Sequence, residues 1–145
     1  MNPEDTRRRL YWHGIFLFLL GLLTGFVVQS LRNPRMGLTA HLEGVMNGTF
    51  LAVLGALWPR LRLTPRAAAV AFWLALYGSY ANWASTLLAA AFGTGALAPI
   101  AAAGRHALPW QEGLVTFGLV SLSIADITCC LILLRGLRGR ASVIE

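Results

Sequence analysis

Apolar residues dominate four long stretches of the chain, at about 10–31, 38–58, 67–92 and 112–134, and polar residues collect between them. Each stretch is close to the ~20 residues that an α-helix needs to cross a hydrocarbon core. The interruptions suit helix ends: Arg32-Asn33-Pro34-Arg35 after the first run, Pro59 to Arg66 after the second, and an Ala-, Gly- and Pro-rich stretch from Gly93 to Gln111 after the third. Pro65 fits the first turn of the third helix, where its missing N–H costs nothing. The first run follows Arg7-Arg8-Arg9, as the apolar part of a signal peptide would. It lacks a small-x-small cleavage site and continues to the basic turn at Arg32, so it is expected to remain as an anchor. The pattern predicts an all-α fold, a four-transmembrane-helix bundle in which residues 1–145 form a single integral membrane domain. The third loop, 93–111, is expected to be either a lid in the outer interface or an ordinary surface loop.

Composition removes the water-soluble alternatives. Of 145 residues, 57% are hydrophobic and 12% charged, with a mean hydropathy of +0.62. That is too little polar surface to coat a globule. All 12 basic residues are arginines, set against six acids for a net charge of +6. Such a charge would suit nucleic acid if it were gathered on one domain, but the arginines sit in short clusters between the apolar runs, so the expected partner is the lipid bilayer and not nucleic acid. Three arginines lie at the N-terminus, three between the second and third runs and three at the C-terminus, against two and one in the other loops. The positive-inside rule then puts both the N- and C-termini on the cytoplasmic side of a multi-pass protein of the bacterial inner (cell) membrane. Trp12 and Trp58 fall near that face and Trp110 near the other, as interfacial belts require. Cys129 and Cys130 are neighbours whose side chains point ~100° apart on a helix, and they read as packing residues.

Helices in lipid associate through close contact of small residues. Gly21 and Gly25 form a G-x-x-x-G in the first helix, and Gly44 and Gly48 another in the second. His41, Gly44, Gly48 and Gly55 fall on one helical stripe, a seam where a second helix or a flat ligand can approach. Polar and ionisable side chains inside a membrane are costly and mark candidate sites. They are His41, Glu43 and Asn47 on the second helix, Tyr77, Tyr80 and Asn82 on the third, and Asp126 on the fourth. Counting ~1.5 Å per residue from the basic residues, Asn47 lies ~20 Å in from Arg60 and Asn82 ~24 Å in from Arg66, one common layer, whereas His13 lies only ~6 Å beyond Arg9. His13 is therefore expected to sit apart from any site built on the other groups. The two amides can equally act as interhelical glue, and His41 as an interfacial residue. His106, beside Arg105, reads as a solvated loop residue. The sequence holds no zinc pattern, phosphate-binding loop, dinucleotide fingerprint or catalytic serine motif.

The segment from Asn33-Pro34-Arg35-Met36 through His41-Leu42-Glu43-Gly44 to Asn47-Gly48, followed by Tyr77-Gly78-Ser79-Tyr80-Ala81-Asn82-Trp83, resembles the bacterial hydroxylaminobenzene mutases. The likeness extends over nearly the whole chain. More distantly, Ala40-His41 with Asn47-Gly48, and Ala81-Asn82 after an aromatic residue, are similar to motifs of the styrene oxide isomerase family of four-helix membrane enzymes. The resemblance implies a homotrimer that carries ferric haem b between subunits, with His41 as axial iron ligand. Gly44 and Gly48, on the same stripe, are then candidate cofactor-binding positions. It also implies that Asn47 and Asn82 are the catalytic amides at the substrate. Tyr77, Tyr80 and Trp83 offer walls for a small aromatic molecule.

The implied reaction is an isomerisation that moves hydroxyl from nitrogen to ring carbon, converting an aryl hydroxylamine to a 2-aminophenol. Ferric iron would act on the departing oxygen as a Lewis acid, and fixed amide dipoles would orient the hydroxylamine. The more distant family has a catalytic tyrosine four residues after its second amide, where this chain has Thr86, so epoxide isomerisation is the second reading. A non-catalytic haem-binding subunit is the third. It usually needs two axial histidines at matched depth, which His13 and His41 do not supply.

Overall fold

The computed structural model describes residues 2–138, so Arg140 of the C-terminal arginine cluster lies outside the described residues. All regular structure among them is helical: α1 (Pro3–Val27), α2 (Pro34–Leu57), α3 (Pro65–Phe92), α4 (Pro99–Ala102) and α5 (Pro109–Leu137), with single 3-10 turns at Val28–Ser30 and Trp58–Arg60. Every helix opens on a proline, whose fixed φ is already helical and whose absent N–H is one the first turn leaves unpaired anyway. Side-chain caps reinforce three of these starts. Asn2 accepts from the Glu4 N–H at 3.1 Å, Asn33 from Arg35 and Met36 at 3.2 and 3.3 Å, and Thr64 from Ala67 at 3.3 Å. α3 ends on Gly93 in the left-handed region (φ 72°), with its N–H on the Ala89 carbonyl at 2.8 Å.

The four expected helices are present with longer ends. α1 starts at Pro3, not near residue 10, so Arg7, Arg8 and Arg9 are helical residues and not a lead-in to the helix. Their long stems explain the difference, because an arginine can lie along apolar surface and keep its head polar. The Arg9 guanidinium sits over Phe72 and Trp73 of α3, 5.0 and 5.7 Å from the ring centres. The short helix α4 lies inside the third loop and was not expected.

α1 and α2 run antiparallel in close contact, and glycine makes the contact possible. A Cβ added to Gly48 would fall 2.5 Å from the Phe18 nitrogen, one on Gly21 would fall 2.6 Å from the Val45 nitrogen, and one on Gly44 would collide with the Gly21 backbone. α2 packs in turn on α3, and α3 on α5, while α1 and α5 share no substantial contact. α3 is thus the central helix, and the edges of α2 and α5 beside it leave a cleft. The ends of α2, α3 and α4 that adjoin the third loop are tied by Asn33, which is fully buried. Its backbone N–H donates to the Ala90 carbonyl and its side chain to the Ala101 carbonyl, both at 2.9 Å. Glu112 organises the rest of the third loop by accepting the N–H groups of Gly95, Ala96 and Ala107 at 3.0–3.1 Å.

Three helical stretches, Pro3–Ser30, Pro34–Arg60 and Pro109–Leu137, are long and apolar enough to cross a membrane. α3 falls short of that measure, although it was expected as the third span. Its place in the fold accounts for the difference. Flanked by α2 and α5, it carries Tyr77, Tyr80, Asn82 and Trp83, and each of these finds a polar partner on a neighbouring helix.

Because backbone, and not a flexible side chain, stands opposite Gly48, Gly48→Ala should destabilise the protein by about 1–3 kcal/mol. The thermal midpoint in detergent should fall by several degrees. Gly113, with no atom within 4 Å of an added Cβ, should accept alanine with an unchanged or slightly raised midpoint.

Candidate active site

Glu43 and Asn47 are four residues apart on α2, one turn, and therefore share a face. That face meets α3. The Asn47 amide nitrogen donates to the Glu43 carbonyl at 2.9 Å and to Glu43 Oε2 at 3.0 Å. The Asn82 amide nitrogen reaches the same Oε2 from α3 at 2.7 Å. One carboxylate oxygen thus gathers both amides, and the expectation that Asn47 and Asn82 meet in a common layer holds because Glu43 lies between them. Acceptors surround the Asn47 nitrogen, so its orientation is set by chemistry: the amide oxygen in that place would face two other oxygens.

Beside this network the cleft between α2 and α5 widens into a cavity of about 180 Å³ lined by Asn47, Phe50, Asp126, Cys129 and Cys130. It is small against the ~300 Å³ that marks the lower range for drug-sized ligands, and suits a molecule of one ring. Asp126 reaches it across α3 because Gly78 has no side chain; a Cβ there would collide with the Asp126 carboxyl. Cys129 is buried and its thiol lies 3.5 Å from the Ala71 carbonyl, as a donor to it. Cys130 is exposed, and the two neighbours are free cysteines.

The remaining candidates lie elsewhere. His41 faces α1, with Nδ1 2.8 Å from the Gly21 carbonyl. The ring passes over Gly25, where an added Cβ would stand 3.0 Å from Nδ1. It borders a separate groove of about 450 Å³ lined by Leu22, Gly25, Phe26, Val28, Gln29 and Leu38. Gly44 and Gly48 share its stripe, as the spacing required, but both are buried in the α1 contact. The seam is filled by helix packing and presents no open face to a flat ligand. The three aromatics do not wall one cavity. The Tyr77 hydroxyl is 2.6 Å from Ser121 Oγ on α5, Tyr80 is 3.0 Å from His13 Nδ1, and the Trp83 indole donates to Thr24 at 3.0 Å. The aromatic residue that does line the cavity is Phe50.

The His13–Tyr80 contact also corrects the depth expected for His13. Gly14 packs against Gly48 and Ala52, Gly21 against Gly44, Gly25 against His41, and Gly55 against Arg7. His13 therefore lies level with Leu51 and Ala52, within about one turn of Asn47 and on the α1 side. Depth counted from Arg9 starts roughly 8 Å too far in, because Arg9 is level with the α2 residues a turn and a half before Arg60. His41, level with Gly25, remains about 18 Å from His13 along α1.

Comparison with known proteins gives this arrangement its context. The family described as styrene oxide isomerase matches residues 6–138. The chain belongs to the styrene oxide isomerase family. It is 53% identical over 133 residues to hydroxylaminobenzene mutase HabB of Ectopseudomonas oleovorans, covering 91% of this chain and 81% of that one. It is also 48% identical over 129 residues to hydroxylaminobenzene mutase HabA of the same organism, covering 88% and 96%. No solved structure matches. The protein is an isomerase, as its resemblance implied.

Within this styrene oxide isomerase family member, Glu43 is the site residue that sequence reasoning left without a role. The signal was the one-turn spacing of Glu43 and Asn47, and the missing information was which face of α2 meets Asn82. Asp126 was singled out only as an intramembrane acid, and nothing in its local sequence points to Gly78. Asn47→Ala and Asn82→Ala should each leave the protein assembled in detergent and lower isomerase turnover by ~10²-fold. Unchanged rates in both variants would reduce the amides to interhelical glue.

Proposed function

We propose that this isomerase is a mutase that rearranges aryl hydroxylamines such as hydroxylaminobenzene to 2-aminophenols by intramolecular hydroxyl transfer. The observation that carries the reading is the 53% and 48% identity, over 91% and 88% of the chain, to two proteins that both bear the name hydroxylaminobenzene mutase. A polar network next to a one-ring cavity in an apolar bundle supports it. An apolar aromatic substrate would enter from the bilayer. In this reading the chain spans the bacterial inner membrane four times with both termini cytoplasmic. α3 counts as the third span because its polar side chains are hydrogen-bonded by α1, α2 and α5 and so bring satisfied polar groups into the bilayer.

Ferric haem b at His41 is part of the proposal, and the surroundings of that ring fit it. A carbonyl can only accept, so Nδ1 carries the proton toward Gly21 and Nε2 keeps its lone pair, the arrangement found when a backbone oxygen orients a metal-binding imidazole. The adjoining groove is mostly aliphatic and aromatic, which suits a porphyrin face. Held there by His41, ferric haem would supply Lewis-acid chemistry to the reaction. Within one chain His41 faces α1, while Asn47 and Asn82 face α3 and the cleft. A homotrimer, in which one subunit's amides adjoin a neighbour's His41, reconciles the two placements.

The residues of the chain do the rest. Asn47 and Asn82, fixed on Glu43, hold the hydroxylamine in one orientation and need no rearrangement as charge develops. Phe50 offers its ring to the arene. The helices keep bulk water from the cationic ring left when the N–O bond breaks, so the departing hydroxide adds to the nearby ortho carbon, and loss of that carbon's proton with gain of one at nitrogen completes the isomerisation. Epoxide isomerisation is less well supported. Thr86, in the place of that family's tyrosine, turns its hydroxyl back to the carbonyls of Asn82 and Trp83 at 2.8 and 3.0 Å and is buried. A bis-histidine haem subunit is disfavoured by the pairing of His13 with Tyr80.

Purified protein given hydroxylaminobenzene in oxygen-18 water should yield 2-aminophenol that keeps the substrate's own oxygen. No turnover would overturn the mutase reading, and label from water would overturn internal transfer. The same preparation should show a Soret band that His41→Ala removes and His13→Ala retains, and a His41→Ala protein with an unchanged spectrum would refute the haem assignment.

A further inference from the structure

We infer that Glu43 determines the substrate class of this site, by holding both amide donors of Asn47 and one of Asn82 away from the substrate so that hydrogen-bond acceptors line the cavity. The inference rests on the mutase reading and specifies which chemical feature of the substrate is read. An asparagine amide has two N–H donors and one carbonyl acceptor. Both donors of Asn47 are taken by Glu43, one by its backbone carbonyl at 2.9 Å and one by Oε2 at 3.0 Å. Asn82 commits a donor to the same Oε2 at 2.7 Å. Asn47 also lines the cavity, so what it offers there is its carbonyl oxygen. Among the described residues no fully buried side-chain nitrogen or oxygen lacks a hydrogen bond, so an Asn47 oxygen without a protein donor is an open one. The other polar groups point the same way. The Cys129 thiol donates to Ala71 and away from the cavity, and Asp126 on the facing wall contributes carboxyl oxygens.

Such a lining recognises a molecule that brings its own donors. An aryl hydroxylamine has two, N–H and O–H, and can pair with Asn47 while its oxygen is left for the reaction. An epoxide has none, and its oxygen would meet acceptors. A buried acceptor left without a donor carries its full desolvation penalty, which makes a site of this kind select strongly against the analogue that lacks the donor. Glu43 touches neither reacting atom in this account. It is a positioning residue: without its carboxylate the amides are free to turn their N–H groups toward the substrate.

The test compares hydroxylaminobenzene with its N-methyl derivative, which keeps the O–H and loses the N–H, in the wild type and in Glu43→Gln. Glutamine keeps the volume but has one acceptor oxygen and an NH2 group of its own, so it cannot hold both amides as donors. The ratio of kcat/KM for the parent over the N-methyl compound should be at least ~10-fold smaller in Glu43→Gln than in the wild type. The bulk of the methyl group is the same in both measurements, and a general loss of stability lowers both rates together, so neither moves the ratio. Equal ratios in the two proteins would overturn the inference while leaving the mutase reading intact, and a wild type inactive on hydroxylaminobenzene would overturn that reading instead. Should Glu43→Gln fail to assemble, inhibition of the wild type decides: N-methylaniline should inhibit at least ~10-fold more tightly than N,N-dimethylaniline, and equal inhibition would overturn the role given to the acceptor lining.

Discussion

A carboxylate among membrane helices must be given donors by the protein, because lipid gives none. Glu43 meets that requirement with Asn47 from its own helix and Asn82 from α3. The arrangement around the site follows from this one need. α2 must turn its polar face to α3 and the cleft, the two amides must point inward, and α3 must be central enough to shield them. The other polar residues of α3 obey the same rule, with His13, Ser121 and Thr24 as partners from the helices on either side.

α2 can serve the site on one face because the adjoining face is reduced to glycine. Gly44 and Gly48 let α1 approach at backbone distance, so α2 is held firmly without any large side chain, and the same stripe ends at His41 where the contact opens into a groove. The two faces are one residue apart in sequence, about 100° around the helix, and different in use. That division explains how a chain of 145 residues can support an imidazole with a defined tautomer and an amide pair without the two competing for the same surface. α3 repeats the device toward α5, where Gly78 makes room for the Asp126 carboxyl.

Membership of the styrene oxide isomerase family fixes the scaffold more firmly than the chemistry. Thr86 uses its hydroxyl on its own helix and offers no phenol to a substrate. Reaction type within such a scaffold is then a matter of which hydrogen-bonding groups are left free around a small cavity. Here the polar residues that line it with the cysteines are Asn47 and Asp126, beside the ring of Phe50.

The sequence by itself determined the helices, because apolar runs of this length and prolines at their starts leave the backbone no other way to satisfy its hydrogen bonds. It also determined the glycine stripe headed by His41, since helical periodicity is local, and it marked Asn47 and Asn82 as costly groups in need of partners. It did not determine their partner, or that Tyr77, Tyr80 and Trp83 point to three separate places. Such facts depend on the rotation of each helix about its axis and on its sliding past its neighbours, and no local pattern encodes either. The depth of His13 shows the size of the effect: arginines can lie along apolar surface, so Arg9 marks no fixed level, and only the glycine contacts of α1 with α2 set the register. Tertiary packing alone decided that Glu43 lies between the amides, that Phe50 borders the cavity and that Asp126 reaches it over Gly78, because each is a contact between helices distant in sequence.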